Sequence, residues 1–421
     1  MSPIQKILFG SPGTGKSYKI REIATDEKLL NINWNEQTNS LENTIKTVFH
    51  PEYTYSDFVG KLLPQTTSLG SVIYKFYPGH FLQALGLAYR QIIDGTNENV
   101  LLVIDELNRG NAAAIFGSIF QLLDREDNYW STYEVNLSEL EIVGLLQSMG
   151  YKANTTHENI QVDGNSFKNF YEMTHNNLIK NKNEDGLLIL ERLKSYSITI
   201  PYNLSIIATI NTSDESIYYL DSAFKRRWDW EYVDVPNSKS KIPEEIKNIK
   251  IEIDFVFDQK YYYWYSLVIK VNEFIKSHHQ SIRRIEDKQI GWWFLKAKNN
   301  IIEESVIKNK LMFYLWDSVF AKDKRPLEEL LGKKLITYAD FANLSIEFIN
   351  KINPDYIKID VEGSELSVLK GGTSTLRKVR AVQFEFGGTA IDAKTYFKDY
   401  YNFFTQLNFS LYRYTPSGLL K

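Results

Sequence analysis

Residues 4–17 read IQKILFGSPGTGKS. An apolar run, Ile7-Leu8-Phe9, leads straight into Gly10-Ser11-Pro12-Gly13-Thr14-Gly15-Lys16-Ser17, which fills every fixed position of the phosphate-binding pattern G-x-x-x-x-G-K-S. The glycines let successive backbone N–H groups turn inward around a phosphate chain, where side chains would collide. A helix beginning near Lys16 points its positive N-terminal end at the same anion. Lys16 can then reach the terminal phosphates, and Ser17 can ligate Mg²⁺. A glycine-rich turn alone can be mere punctuation. With an apolar strand before it and the whole pattern intact, it reads as a nucleotide site.

A second stretch supplies what this loop lacks. Val100–Ile104 is a continuous run of Val, Leu and Ile, the mark of a strand buried on both faces of a parallel sheet. It ends in Asp105-Glu106. Asp105 can hold the Mg²⁺ shell, and Glu106 beside it can polarise a water for attack on the γ-phosphate. Leu204–Ile210 is another buried strand, ending at Asn211, whose amide can orient that water. Farther on, Phe224-Lys225-Arg226-Arg227-Trp228 sets fixed cations just after a predicted helix. Arg226 or Arg227 can stabilise the transferring phosphoryl group of a neighbouring subunit as an arginine finger, since planar bidentate contact favours Arg over Lys.

The remaining chain arranges itself around these stretches. Strands are expected at Thr44–Phe49 and Trp230–Val235, and helices at Gly79–Ile93 and Ala112–Leu123. Strands alternating with helices, with polar residues at their C-terminal ends, describe a doubly wound parallel α/β domain over residues 1–240. An insertion interrupts it at about 125–197. There, Ser138 with Glu141 forms a capping box and a second helix covers Leu187–Lys194, while His157 and His175 read as isolated surface residues. Residues 241–351 turn mostly helical, as a small lid domain, and residues 352–421 resume a strand–helix–strand rhythm. The aromatic stretches Tyr261–Tyr265 and Trp292–Trp293 are expected in the packed lid core.

Bulk properties narrow the classes. The 421 residues carry a net charge of −3 and 43% hydrophobic content, enough for two or three cored domains and no general pull toward nucleic acid or anionic membranes. The absence of cysteine excludes disulfides, thiolate catalysis and Cys-based zinc sites. No apolar stretch approaches the roughly 20 residues that span a bilayer. The chain begins at the nucleotide strand without a leader, so a cytoplasmic location with no membrane contact is expected.

Taken together, GSPGTGKS, VFHPEYTYSDFVG, LLVIDELNRGNAAAIFGSIFQLLDRE, IPYNLSIIATINTSDESI and LDSAFKRRWDWEYV resemble the AAA+ motor of the McrB family across roughly residues 4–350. The lid stretch Lys288-Gln289-Ile290-Gly291 is part of the likeness. The resemblance implies ATP or GTP as substrate with Mg²⁺. It assigns Gly10–Ser17 to nucleotide, Ser17 and Asp105 to the metal, Glu106 to catalysis and Asn211 to the sensor position. Arg226 and Arg227 become trans-acting fingers, and Asn108 and Arg109 subunit-facing residues. It further implies a homo-oligomeric, hexameric ring that drives a McrC-like nuclease in modification-dependent DNA restriction. No DNA-reading domain precedes the loop here, so DNA contact is expected to be indirect, through the partner.

From about residue 355 the chain resembles something else. YIKIDVEGSELSVLKGG, VRAVQFEFGG and LYRYTPSGLL look like the second half of an FkbM-type methyltransferase, with Asp360, Glu362 and Gly363 near the cofactor edge. The upstream glycine-rich loop that grips the methionine moiety is missing, so a half-Rossmann appendage without S-adenosylmethionine binding is expected. Two other readings stay open: a working methyltransferase with a regulatory motor, and a MoxR-like ATPase that remodels proteins.

Overall fold

The computed structural model describes residues 2–66, 70, 72–156, 159–211, 218–252, 262–282, 284–352, 356–359, 361, 363–376, 379, 381–387, 394–415 and 418–420. His157, Tyr261, Asp360, Glu362 and most of the Asn211–Asp214 motif after Asn211 itself lie outside these residues. The chain divides into two compact units, Met1–Val235 with Glu286–Phe294, and Pro236–Ile285 with Leu295–Lys421.

The first unit is built on five parallel strands: β1 (Gln5–Gly10), β2 (Thr44–Val48), β3 (Val100–Asp105), β4 (Leu204–Asn211) and β5 (Asp229–Tyr232). Their spatial order is β5-β1-β4-β3-β2, so β4 lies between the loop strand and the acid-bearing strand. The pleat sorts their side chains onto two cores. Ile7, Leu102, Ile104, Ile206 and Ala208 face one way, onto the helix His80–Ile93 (α2) through Phe81, Leu82, Leu85 and Ala88. Leu8, Leu101, Val103 and Ile207 face the other, onto Ile20 and Ile23 of the helix Lys16–Thr25 (α1). Both faces are covered, which is why β3 and β4 read as unbroken apolar runs.

One expected helix is shorter than its periodicity suggests. Ala112–Phe116 (α3) is α-helical, but Gly117–Leu123 continues as a 3₁₀ helix. Gly117 takes φ 50°, and a Cβ there would stand 2.9 Å from the Tyr55 ring. Close approach of that ring breaks the α-helical run. The insertion contains the expected capped helix, Glu139–Ser148, and a helix over Glu184–Lys194. It also holds a three-stranded antiparallel sheet (Ala153–Thr156, Asn159–Val162, Asn165–Ser166) and a helix Phe167–Lys180, on which His175 stacks with Tyr171.

The second unit is mainly helical in its first part. Trp264–Ser277 buries Trp264, Leu267, Val268, Val271 and Ile275 along one face, beside a small sheet of Tyr262–Tyr263, Lys250–Glu252 and Ile301–Glu303. Toward the C-terminus, Tyr356–Ile359 and Ala381–Phe384 pair in parallel, with the helix Glu365–Gly371 between them in sequence. Phe384 stacks on Tyr400 at 4.9 Å, and Ile359, Leu366, Leu369, Leu376 and Phe404 complete a small core. Among the described residues no helix is long and apolar enough to cross a membrane.

Candidate functional site

The parallel register brings the sequence-predicted groups to one edge of the sheet. Gly10, the last residue of β1, pairs with Asn211, the last residue of β4, and Ile104 of β3 pairs with Ala208. The loop Gly10–Ser17, the acids Asp105 and Glu106, and Asn211 therefore all emerge at the C-terminal ends of adjacent strands.

Within the loop, Gly13 (φ 72°) and Gly15 (φ 95°) take left-handed conformations that a side chain would strain. Lys16 is buried, and its ammonium donates to the carbonyls of Gly10 (2.8 Å) and Ser11 (3.0 Å). Thr14 Oγ1 donates to Ser11 O at 3.0 Å, closing the loop on itself. Ser17 is exposed at the start of α1.

A strap from the expected lid region belongs to this same unit. The Gly291 N–H donates to Pro12 O (3.0 Å) and the Trp293 N–H to Gly13 O (2.9 Å), while Ser11 Oγ donates to Glu286 O. The contact is backbone on backbone, since a Cβ on Gly291 would lie 2.0 Å from Gly13 O. Trp293 stacks on Tyr18 of α1 at 5.3 Å, while Trp292 is buried. Sequence reasoning treated both tryptophans as lid core. Contacts between backbones leave no side-chain pattern from which the strap could have been read.

At the acid end, Asp105 accepts from Thr209 Oγ1 (3.1 Å) and pairs with Lys46 Nζ (3.2 Å). Glu106 has φ 56° and ψ 43°, a left-handed conformation that costs a non-glycine residue on the order of 1–3 kcal/mol. Its N–H donates to Thr209 Oγ1 at 3.2 Å. Its carboxylate accepts from Asn211 Nδ2 and pairs with Arg109 Nε at 3.3 Å. Asn108 points inward, 3% exposed, with Nδ2 donating to Asn211 O at 3.1 Å, whereas Arg109 is exposed. The sequence reading did not single out Thr209 or Lys46. The available signal for Thr209 was its place two residues before Asn211, on the same face of one strand.

The arginine pair lies elsewhere. Asp221 caps the short helix Ser222–Lys225 (α4) by accepting from Phe224 N at 2.6 Å. Arg226 follows it, exposed. Arg227 turns inward, 8% exposed at its side chain, pairing with Asp124 at 2.6 Å and lying 4.0 Å over the Phe120 ring. Its carbonyl accepts from Gln5 Nε2 at 2.6 Å. Gln5 starts β1 and Gly10 ends it, so this corner sits at the opposite end of the sheet, roughly 17 Å from the loop at about 3.3 Å per residue.

The donor set suits a magnesium nucleotide. The loop carries the left-handed glycines Gly13 and Gly15 that a phosphate-binding turn requires, and the metal candidates Ser17 and Asp105 offer hard oxygen ligands. Among the described residues no cluster of three or more His, Cys, Asp or Glu side chains could hold a metal ion.

This sheet order, with a phosphate loop after β1 and paired acids after β3, is that of a doubly wound parallel α/β fold with a P-loop. Comparison with known proteins carries the assignment further. The chain is 29% identical over 340 residues to the Bacillus subtilis type II restriction enzyme BsuMI component YdiS, covering 76% of this chain and 80% of that protein. It is 28% identical over 157 residues to the Escherichia coli type IV methyl-directed restriction enzyme EcoKMcrB subunit, covering 34% of this chain and 30% of that one. A solved structure of an ATPase candidate from Cytophaga hutchinsonii aligns over 83% of this chain and 84% of its own, at 12% identity and a TM-score of 0.23. Residues 298–411 match the methyltransferase FkbM domain. The chain thus resembles restriction-system proteins, YdiS over most of its length and the McrB subunit over about a third, and resembles the FkbM domain toward its C-terminus. The FkbM match starts well before residue 355, inside the stretch expected to be lid.

The strap yields a prediction. Gly291→Ala should force Gln289–Phe294 off Gly13 and weaken nucleotide affinity at least tenfold, measured by titration with a fluorescent nucleotide analogue. Unchanged affinity would show that the loop does not need the strap.

Proposed function

We propose that the chain is a ring-forming nucleoside triphosphate hydrolase, the motor subunit of a McrBC-like modification-dependent DNA restriction system. It would drive a separate McrC-like nuclease and meet DNA through that partner. The observation that carries this reading is the convergence of the Gly10–Ser17 loop, Asp105, Glu106 and Asn211 on one sheet edge. The restriction-enzyme names of the relatives support the biological setting.

The chemistry follows from these side chains. Lys16, now bonded to Gly10 and Ser11 carbonyls, is free to exchange them for phosphate oxygens, which are stronger charge-assisted acceptors. Mg²⁺, held by Ser17 and Asp105, would neutralise phosphate charge. Glu106 orients the attacking water and takes up its proton as general base, with Asn211 fixing the carboxylate. ATP and GTP carry the same triphosphate, so hydrolysis assays with each, with and without the nuclease partner, identify the substrate.

Completion of the site between subunits follows from the position of the arginine corner. Arg226 is exposed at the end of the sheet away from its own loop, which supports assigning it to a neighbour's. Arg227 braces that corner through Asp124 and Phe120. A second reading, in which the tail binds S-adenosylmethionine, is favoured by the match over residues 298–411. It ranks second because the parallel sheet there has two strands among the described residues.

Three outcomes are expected. Lys16→Ala should lose nucleotide binding, whereas Glu106→Gln should bind nucleotide and trap it unhydrolysed; equal loss of binding in both would refute the assignment. Arg226→Ala should cut turnover by about 10³–10⁵ at unchanged melting temperature. Arg227→Ala should instead lower the melting temperature, and mixing Arg226→Ala with Glu106→Gln protein should recover some activity through interfaces that keep both groups. Unimpaired turnover by Arg226→Ala would remove the trans assignment. Calorimetric titration of the intact protein with S-adenosylmethionine should give no saturable heat; a saturable heat would make the tail a second active site.

A further inference from the structure

β3 ends at Asp105, and the chain must turn sharply to deliver Glu106. The last residue of β3 that pairs with β4 is Ile104, opposite Ala208. Two residues beyond, the Glu106 N–H has left the ladder, and its residue is in a left-handed conformation. A side-chain hydroxyl takes the place of the missing ladder carbonyl. Thr209 Oγ1 accepts from the Glu106 N–H at 3.2 Å and donates its own proton to Asp105 Oδ1 at 3.1 Å. A single atom therefore bridges the metal-ligand candidate and the general-base candidate, using its acceptor for one and its donor for the other. Thr209 is 4% exposed, so water has little access to replace it. Its neighbour Asn211, on the same face of β4, holds the other end of Glu106.

We infer that Thr209 is a positioning residue for hydrolysis, setting the backbone of Glu106 and the carboxylate rotamer of Asp105 together. The inference rests on the hydrolase reading above. Without the hydroxyl, the Glu106 N–H loses this acceptor and its left-handed turn loses the bond that ties it to β4. The carboxylate then swings away from the water that it must orient. The two bonds of the hydroxyl go to Glu106 and Asp105 rather than to the Gly10–Ser17 loop, so turnover is expected to suffer more than nucleotide grip.

The isosteric change Thr209→Val removes only the hydroxyl and keeps the packing shape, while Thr209→Ser keeps the hydroxyl and removes a methyl. Losing bonds to a charged carboxylate and to its neighbour's backbone should lower kcat about ten- to a hundredfold in Thr209→Val, with KM for the nucleotide within about twofold. Thr209→Ser should recover most of the rate. A merely structural role would lower both variants together, or track the melting temperature rather than kcat. Wild-type kcat in Thr209→Val, or equal impairment of Val and Ser variants, would overturn the inference. Wild-type protein and Glu106→Gln, assayed alongside, separate the two levels: no nucleotide hydrolysis by the wild-type protein overturns the hydrolase reading itself, and wild-type turnover by Glu106→Gln removes Glu106 as its base. An inactive Glu106→Gln beside a fully active Thr209→Val overturns only the role of Thr209.

Discussion

The candidate site depends on β4 being hydrogen-bonded along both edges, to β1 on one side and to β3 on the other. That double pairing sets the phosphate loop and the paired acids at one height. A one-residue slip on either side would turn every side chain to the other face and carry Asn211 away from Gly10. The alternation of Ile206 and Ala208 toward one core with Ile207 toward the other resists such a slip, because both cores would lose their apolar layer together. Hydrophobic sorting therefore sets the register, and the register sets the chemistry.

Charge at this edge is balanced before any phosphate arrives. Lys16 is satisfied by carbonyls of its own loop, Asp105 by Lys46 and Thr209, and Glu106 by Asn211 and Arg109. A buried ammonium or carboxylate without such partners would be costly. Each of these bonds is of a kind that phosphate, metal or water can replace. The polar network is thus exchangeable.

Much of this was legible because it is local. The loop pattern, the apolar runs of β3 and β4 and the polar residues that end them each lie within a dozen consecutive residues, and the fold brings those strand ends together. What escaped the reading depends on partners distant in sequence. The break at Gly117 answers to Tyr55, and the Gly291 strap answers to Gly13 through backbone atoms alone. Thr209 gains meaning only from a turn on another strand. Arg226 and Arg227 are indistinguishable as neighbours in sequence; Asp124, about a hundred positions earlier, draws one of them inward. The FkbM-like region begins earlier than its most recognisable motif, since that motif occupies only its later part.

The base of the insertion has a consequence of its own. Arg125 reaches across to the carbonyls of Pro201 (3.0 Å) and Leu204 (2.8 Å), to Tyr129 O (3.0 Å) and to the Gln5 side chain (3.2 Å). Burial pushes its guanidinium down to about 10, and the surrounding acceptors compensate for part of its lost hydration. One side chain thereby fastens the outgoing and returning limbs of a long excursion together at its foot. From the sheet's side, the excursion is a short stitched loop, whatever its length beyond the stitch. Above the stitch the excursion returns to the same core, where Leu145 and Leu146 of Glu139–Ser148 and Ile189 of Glu184–Lys194 pack with the helix His80–Ile93.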